Sequence, residues 1–336
     1  MKSWQPIVGA AAAVLAAAFW AVGLTELQAL TEPLGPWSER LASNNTYWAR
    51  DLRFMAIVAA LAGVVLGTGG DRRVATLAAP AATVWVVVDL VLDRLDVDGT
   101  ATTVGLASGA ALVMLAAIGT AHRWPAGSTP AVLIVVAAVT AATAPVAMAI
   151  ESPTYTEPEL TPAAVAVAGL LAVLAIGCAV AAAPERRRIR WAAAGLLTGA
   201  AAAGIALGRT QPPGGRLLGM LLLAIVLLVG VLVLTRPAAD GRPDLRRLAL
   251  LGVASLGYPI LLHVLVIAMA VTSAGAGFTR LAGNPAINAA DSDVLLSLAG
   301  VGTGLVYGLL LVGLSGRPAG SVGVRSTDPA PSAIWR

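Results

Sequence analysis

Residues 217–235 read LLGMLLLAIVLLVGVLVLT, nineteen residues without a charge. A helix needs roughly 20 mostly apolar residues to cross a hydrocarbon layer about 30 Å thick. This run meets that need and is bulky and apolar on every side, so it is expected to face lipid over much of its surface. It is bracketed by GRTQPPGGR (208–216) and RPAADGRPDLRR (236–247), where Pro, Gly and Arg end a helix and return polar backbone to water.

The same alternation extends in both directions. Ten runs qualify: Pro6–Leu24, Leu52–Thr68, Val74–Leu92, Val104–Ala121, Ala131–Ile150, Ala163–Ala183, Trp191–Leu207, Leu217–Thr235, Leu248–Val271 and Val294–Leu314. The links GTGGDRR, HRWPAGSTP, ESPTYTEPELTP and APERRRIR carry the same breakers and charges. Composition agrees: 58% of the 336 residues are hydrophobic, 12% are charged and the mean hydropathy is +0.83. A soluble domain carries about 25% charged residues, and half that number is too few to coat a water-facing surface. The expected fold is all-α: a polytopic transmembrane bundle of about ten helices over residues 1–315. A Pro-, Ser- and Gly-rich tail, 316–336, is expected to be disordered and cytoplasmic. The first run has features of a signal peptide, Lys2 before an Ala-rich core, but continues through Trp20 and Val22 without a polar cleavage region.

Arg and Lys set orientation. With the N-terminus inside, fifteen of the 22 fall on the cytoplasmic side; the outer seven are Arg40, Arg50, Arg53, Arg94, Arg209, Arg216 and Arg280. Both termini are therefore expected inside, and thirteen of the 18 acids at or near the outer face. Trp4, Trp20, Trp37, Trp48, Trp85, Trp124 and Trp191 lie near run ends or in links, the pattern of an interfacial aromatic belt. The net charge of +4 is thus read as orientation and not as nucleic-acid binding. The expected location is the plasma membrane of a bacterial cell, and the expected partner is the bilayer itself.

Small residues recur four apart: Gly63/Gly67, Gly105/Gly109, Gly195/Gly199, Gly204/Gly208 and Gly300/Gly304/Gly308. Each series lies on one helix face and permits close backbone approach. Tight static packing is the plainer reading; a sliding surface or a face for partner subunits is the functional one.

Ionisable residues within runs are the candidates for chemistry, because each is costly to hold in lipid. Gly252, Ser255, Pro259 and His263 share a face of the ninth run, where Pro259 loosens the helix and His263 supplies a titratable ring. They are candidates for a pathway or proton relay, against the alternative of a neutral, hydrogen-bonded His. Asp89, Asp93 and Asp96 share a face near the outer end of the third run and would draw a cation or proton to a vestibule. The alternative is a solvated helix end, offset by Arg94. The first link, Thr25–Asp51, holds Glu26, Glu32, Glu39 and Arg50, with Arg53 just beyond. Its second half, PWSERLASNNTYWARDLRF (36–54), suits an interfacial helix. Arg50 and Arg53 would bind a phosphate or carboxylate headgroup, or simply snorkel. Glu151, Glu157, Glu159, Asp291 and Asp293 extend an acidic outer rim.

Much is excluded. Lys2 is the only lysine, so there is no GxxxxGK[ST] loop, and neither GxSxG nor HExxH occurs. A lone Cys178 rules out a disulfide, a zinc cluster or an iron–sulfur site within one chain, and two histidines at different predicted depths argue against paired haem ligation. No cofactor or metal is expected.

Ten helices in about 300 residues, with RDLRFMA (50–56) echoed by RRIRWAA (187–193), resemble the drug/metabolite transporter superfamily, two inverted five-helix repeats. The 27-residue first link departs from it. LGYPILLH (256–263) resembles the late-helix signature of membrane acyltransferases, but that family's Tyr is Ile260 here and its first-helix His is missing. The chain is assigned to neither. The leading expectation is a permease for a small or amphipathic solute, with or without proton coupling. The rivals are a transferase acting on a lipid-linked substrate at the outer face, and a non-catalytic subunit of a larger complex.

Overall fold

The computed structural model describes residues 2–28, 45–150, 160–183, 188–235, 245–283 and 295–315. We label the helices in chain order: α1 (Gln5–Val22), α2 (Asn45–Gly67), α3 (Arg72–Arg94), α4 (Thr100–Arg123), α5 (Pro130–Ala149) and α6 (Leu160–Ala182). They continue with α7 (Arg188–Thr210), α8 (Pro213–Thr235), α9 (Leu245–Thr272), α10 (Ala274–Leu281) and α11 (Leu296–Ser315). Each of the ten apolar runs, over its described residues, falls on one long helix or its immediate ends, and α10 is a short addition. Among the described residues the only β pairing is a single bridge between Asp71 and Ser128. The tail 316–336 lies outside the described residues.

Eight helices are long and apolar enough to cross a membrane, or nine if α9 and α10, bent by 59° at their junction, count as one. The exception is α2. It has the length, 23 residues, but carries Arg50, Asp51 and Arg53 close together. The bundle's exterior is itself apolar: Leu77 and Val84 on α3, Leu112 on α4, Leu196 on α7 and Val271 on α9 are all exposed. A water-soluble bundle hides such residues and shows charge instead. The chain is a helical membrane protein. On α8, Leu218 and Leu222 face out, whereas Leu223, Leu227 and Val231 are buried, so its lipid-facing share is one side.

The core centres on α5, buried along nearly its whole second half, Ala137 to Met148. It packs against α2, α6, α8 and α11. Ala and Thr on α5 and Gly on α11 keep that crossing tight: a Cβ on Gly308 would lie 2.8 Å from the Val135 Cα, and one on Gly304 would overlap the Val139 backbone. The α1–α2 crossing is as close. A Cβ on Gly63 would meet the Ala13 backbone nitrogen at 2.8 Å. By contrast Gly105, Gly109, Gly195 and Gly199 have no heavy atom within 4 Å of such a Cβ and face outward.

Polar groups join distant helix ends. The Asp51 carboxylate accepts from the backbone N–H groups of Leu296 (3.0 Å) and Ser297 (3.1 Å) and from the Ser297 hydroxyl. An acid on α2 thus caps the positive end of α11. Arg209 donates to the carbonyls of Met148 (3.1 Å) and Ile150, closing the negative end of α5.

Candidate functional site

Five chain segments converge at one end of the bundle: the end of α1, the start of α2, the end of α3, the start of α4, and α10. Near that end α1 widens into a π-helical turn, Gly23–Leu27. Such turns shift the register of side chains and concentrate at functional sites. Here Thr25 and Gln28 become buried. The Thr25 and Thr103 hydroxyls lie 2.6 Å apart. A Cβ on Gly23 would lie 2.8 Å from the Arg53 Cγ, so only glycine lets that side chain pass the α1 backbone.

Arg53 sits at the centre, 1% exposed. It clasps Asp89 in a bidentate pair, Nε to Oδ1 at 2.9 Å and Nη2 to Oδ2 at 3.0 Å. Nη2 also reaches Asp93 Oδ2 at 2.6 Å, and Nη1 donates to Gln28 Oε1. Arg50 Nε lies 3.5 Å from the same Asp93 oxygen, and its Nη1 donates to the Thr279 hydroxyl at 3.0 Å. Trp20 Nε1 completes Asp89 with a 2.7 Å hydrogen bond, its ring edge-on to Trp85 with centroids 5.3 Å apart. Two arginines and two aspartates balance in charge, and all four are buried. In a low-dielectric setting each member depends on the others, because a charge left alone would be costly. Asp93 Oδ1 is buried and takes no hydrogen bond.

The roof of this network is α10. Ser273, at φ +50°, turns the chain sharply after α9. The turn lays Thr279 over Arg50 and Phe278 edge-on to Phe54, at 5.7 Å between ring centroids. Arg94 at the end of α3 points at the Leu281 carbonyl, 3.5 Å away.

The network also defines how α3 is held. Its only buried residues are Asp89, Leu90 and Asp93. At the opposite end Asp71 caps the helix through the N–H groups of Arg73 (2.9 Å) and Val74 (3.3 Å), and accepts from Ala126 N at 2.7 Å. Between these two anchors α3 carries Pro80 and stands off the bundle. An apolar cleft lies on each side: about 390 Å³ between α2, α3 and α4, and about 460 Å³ between α2, α3, α5 and α11.

The structure brings four of the sequence candidates, Arg50, Arg53, Asp89 and Asp93, into one cluster. Glu26 stands exposed beside it, accepting from the Thr103 hydroxyl at 3.3 Å. Asp96 lies past the end of α3, at φ +48°, and is exposed. His263 lies elsewhere: its side chain is exposed on α9, with Nδ1 2.6 Å from the Pro259 carbonyl, and lines neither cleft. Ser255 belongs to α9, but its side chain lies outside the described residues, as do Glu32, Glu39, Glu151, Glu157, Glu159, Asp291 and Asp293. Trp20 is not an interfacial belt residue; it is 3% exposed and works inside the network. Thr25, Gln28, Thr103 and Thr279 are members that the sequence does not single out. Only the hydrophobic setting of a lone Thr or Gln at a run's end would mark them, and that signal is weak.

Comparison with protein-family models, curated proteins and solved structures finds no match for the chain.

Proposed function

We propose that this protein is a permease for a small or amphipathic solute, with the Arg–Asp network as its closed outer gate and α3 as the moving element. The supporting observation is the contrast along α3: four fully buried charges pin one end, while its middle is uncovered and flanked by clefts. Charges inside a membrane bundle mark pathways and relays far more often than plain scaffolding. A proton taken up by Asp93, whose Oδ1 has no donor, would cancel the charge that Arg50 and Arg53 share and loosen the network, which couples the gate to protons. Glu26 and the acidic links would gather a cation or proton at the mouth.

In this proposal all ten long helices span the plasma membrane of a bacterial cell, α2 included, with both termini inside. The network neutralises the charges that make α2 an unlikely span on hydropathy alone. The arginine bias between the two ends supports the orientation.

His263 faces away from the network, so the proton role falls to Asp89 and Asp93. The transferase alternative needs Arg50 or Arg53 free for a phosphate, and both are committed to aspartates. A role with partner subunits keeps one support: the outward Gly105/Gly109 and Gly195/Gly199 faces.

The test uses purified protein in vesicles loaded with a pH-sensitive dye, challenged with a panel of amphipathic cations under an imposed pH gradient. Solute-dependent proton flux is expected in the native protein, lost in Asp89→Asn and Asp93→Asn and retained in His263→Ala. Flux absent across the panel, or unaffected by the aspartate variants, would sink the reading.

A further inference from the structure

The cleft between α2, α3 and α4 differs from its neighbour in having a charged mouth. Its interior is Val74, Leu77, Ala78, Val113, Met114 and Ala117, apolar and partly open. Its rim, at the end of the bundle opposite the network, is Arg73, Thr120 and Trp124, with Asp71 behind. Trp124 is 65% exposed. Arg72 and Arg123 flank the rim in sequence and are exposed.

The charge balance at this rim is decisive. Asp71 is the nearest acid, but its two oxygens are already taken by the backbone N–H groups of Arg73, Val74 and Ala126. Among the described residues no carboxylate pairs with Arg72, Arg73 or Arg123. The mouth therefore carries Arg73 on the cleft itself and Arg72 and Arg123 beside it, three cations against the single charge of Asp71, with an interfacial indole at the edge of an apolar slot of about 390 Å³. A soluble anion would satisfy the rim and leave the slot empty; a neutral lipid would fill the slot and leave the rim unmatched. The two halves together suit an amphiphile with an anionic head and a hydrocarbon chain. A rigid seat exists for it, because the link after α2 and the link before α5 are fastened together. Arg72 N donates to the Gly127 carbonyl (3.2 Å) and Thr129 N to the Gly70 carbonyl (3.1 Å).

We propose that this cleft binds an anionic phospholipid from the surrounding leaflet, one acyl chain between α3 and α4 and the phosphate on the arginine rim. The site is separate from the Arg–Asp network and does not depend on the transport reading. A lipid seated there would fill the space behind α3 and hold its middle against the bundle.

The experiment is native mass spectrometry of the full chain released from micelles, after equilibration with phosphatidylglycerol or phosphatidylcholine of identical chains. Retention of phosphatidylglycerol in excess of phosphatidylcholine is expected. It should fall about tenfold in Arg72→Gln/Arg73→Gln and also in Ala117→Leu, which narrows the slot and leaves the charges intact. Brominated-chain phosphatidylglycerol should quench a fluorescence component that Trp124→Phe removes. Equal retention of the two lipids, retention indifferent to both variants, or displacement by millimolar inorganic phosphate would each overturn the proposal. If Ala117→Leu proves unstable, the arginine pair and the bromine quenching decide alone.

Discussion

Arg53 uses all three guanidinium nitrogens within the bundle, on Asp89, Asp93 and Gln28. Removing one partner strands the others in a medium that cannot solvate them, at a cost of about 3–5 kcal/mol. Arg53→Gln and Asp89→Asn should therefore each lower the melting temperature in detergent by many degrees. The apolar double variant Arg53→Met/Asp89→Leu should recover much of that loss in thermal unfolding while abolishing flux. Gly23→Ala should mimic the damage without touching a charge, since its methyl lies against Arg53. The sequence exposes half of this site. Asp89, Asp93, Arg50 and Arg53 stand out as charges in oily surroundings, but nothing local says that the acids meet the arginines. Arg53 and its aspartates are 36 and 40 residues apart, with no periodic charge pattern joining them. Read singly, each arginine looks like a snorkelling anchor; read together, they are an internal salt network.

Helix α2 begins at Asn45, seven residues before the apolar run that announces it. The apolar run stops at Asp51 because hydropathy scores each charge as though it faced lipid, whereas the fold supplies partners for Arg50, Asp51 and Arg53. The same blindness hides α10: AGAGFTRL is short, mixed and follows a left-handed turn at Ser273 that no motif signals. The long helices are legible because twenty apolar residues in a row have few other destinations. At this scale α3 carries a further prediction. Pro80 interrupts its hydrogen-bond ladder midway between the two anchors. Pro80→Ala should stiffen α3 and raise thermal stability by about 1–3 kcal/mol, measured by unfolding in detergent, and should slow flux in the vesicle assay. A rise in flux would remove α3 as the moving element.

For the whole molecule, the proposed orientation predicts a labelling pattern. Cys178 is buried, so a membrane-impermeant maleimide has little background. Asp98→Cys, beyond α3 at the network end, should label in intact cells. Pro125→Cys, beyond α4 at the arginine end, should label only after permeabilisation. The reverse pattern would invert the proposed orientation and put the gate inside. The two ends differ in chemistry as well as charge. One is sealed by ions that neutralise each other; the other, among the described residues, displays Arg72, Arg73 and Arg123 against a single acid, Asp71. Composition foretold the second through its count of arginines. It was silent on the first, because a balanced set leaves no net charge to count.

The clasp between Asp51 and the start of α11 spans 245 residues of chain. If α2 spans as proposed, it enters the bilayer long before its partner exists, and its carboxylate must wait, uncapped, for the final segment to leave the ribosome. Completion of the bundle is thus a late biogenesis step with a chemical checkpoint. A nascent chain stopped short of Leu296 exposes an unanswered acid to lipid, the kind of defect that membrane quality-control proteases remove. Supplying the last helix as a separate polypeptide should rescue the truncated chain from degradation, and Asp51→Asn should blunt that rescue.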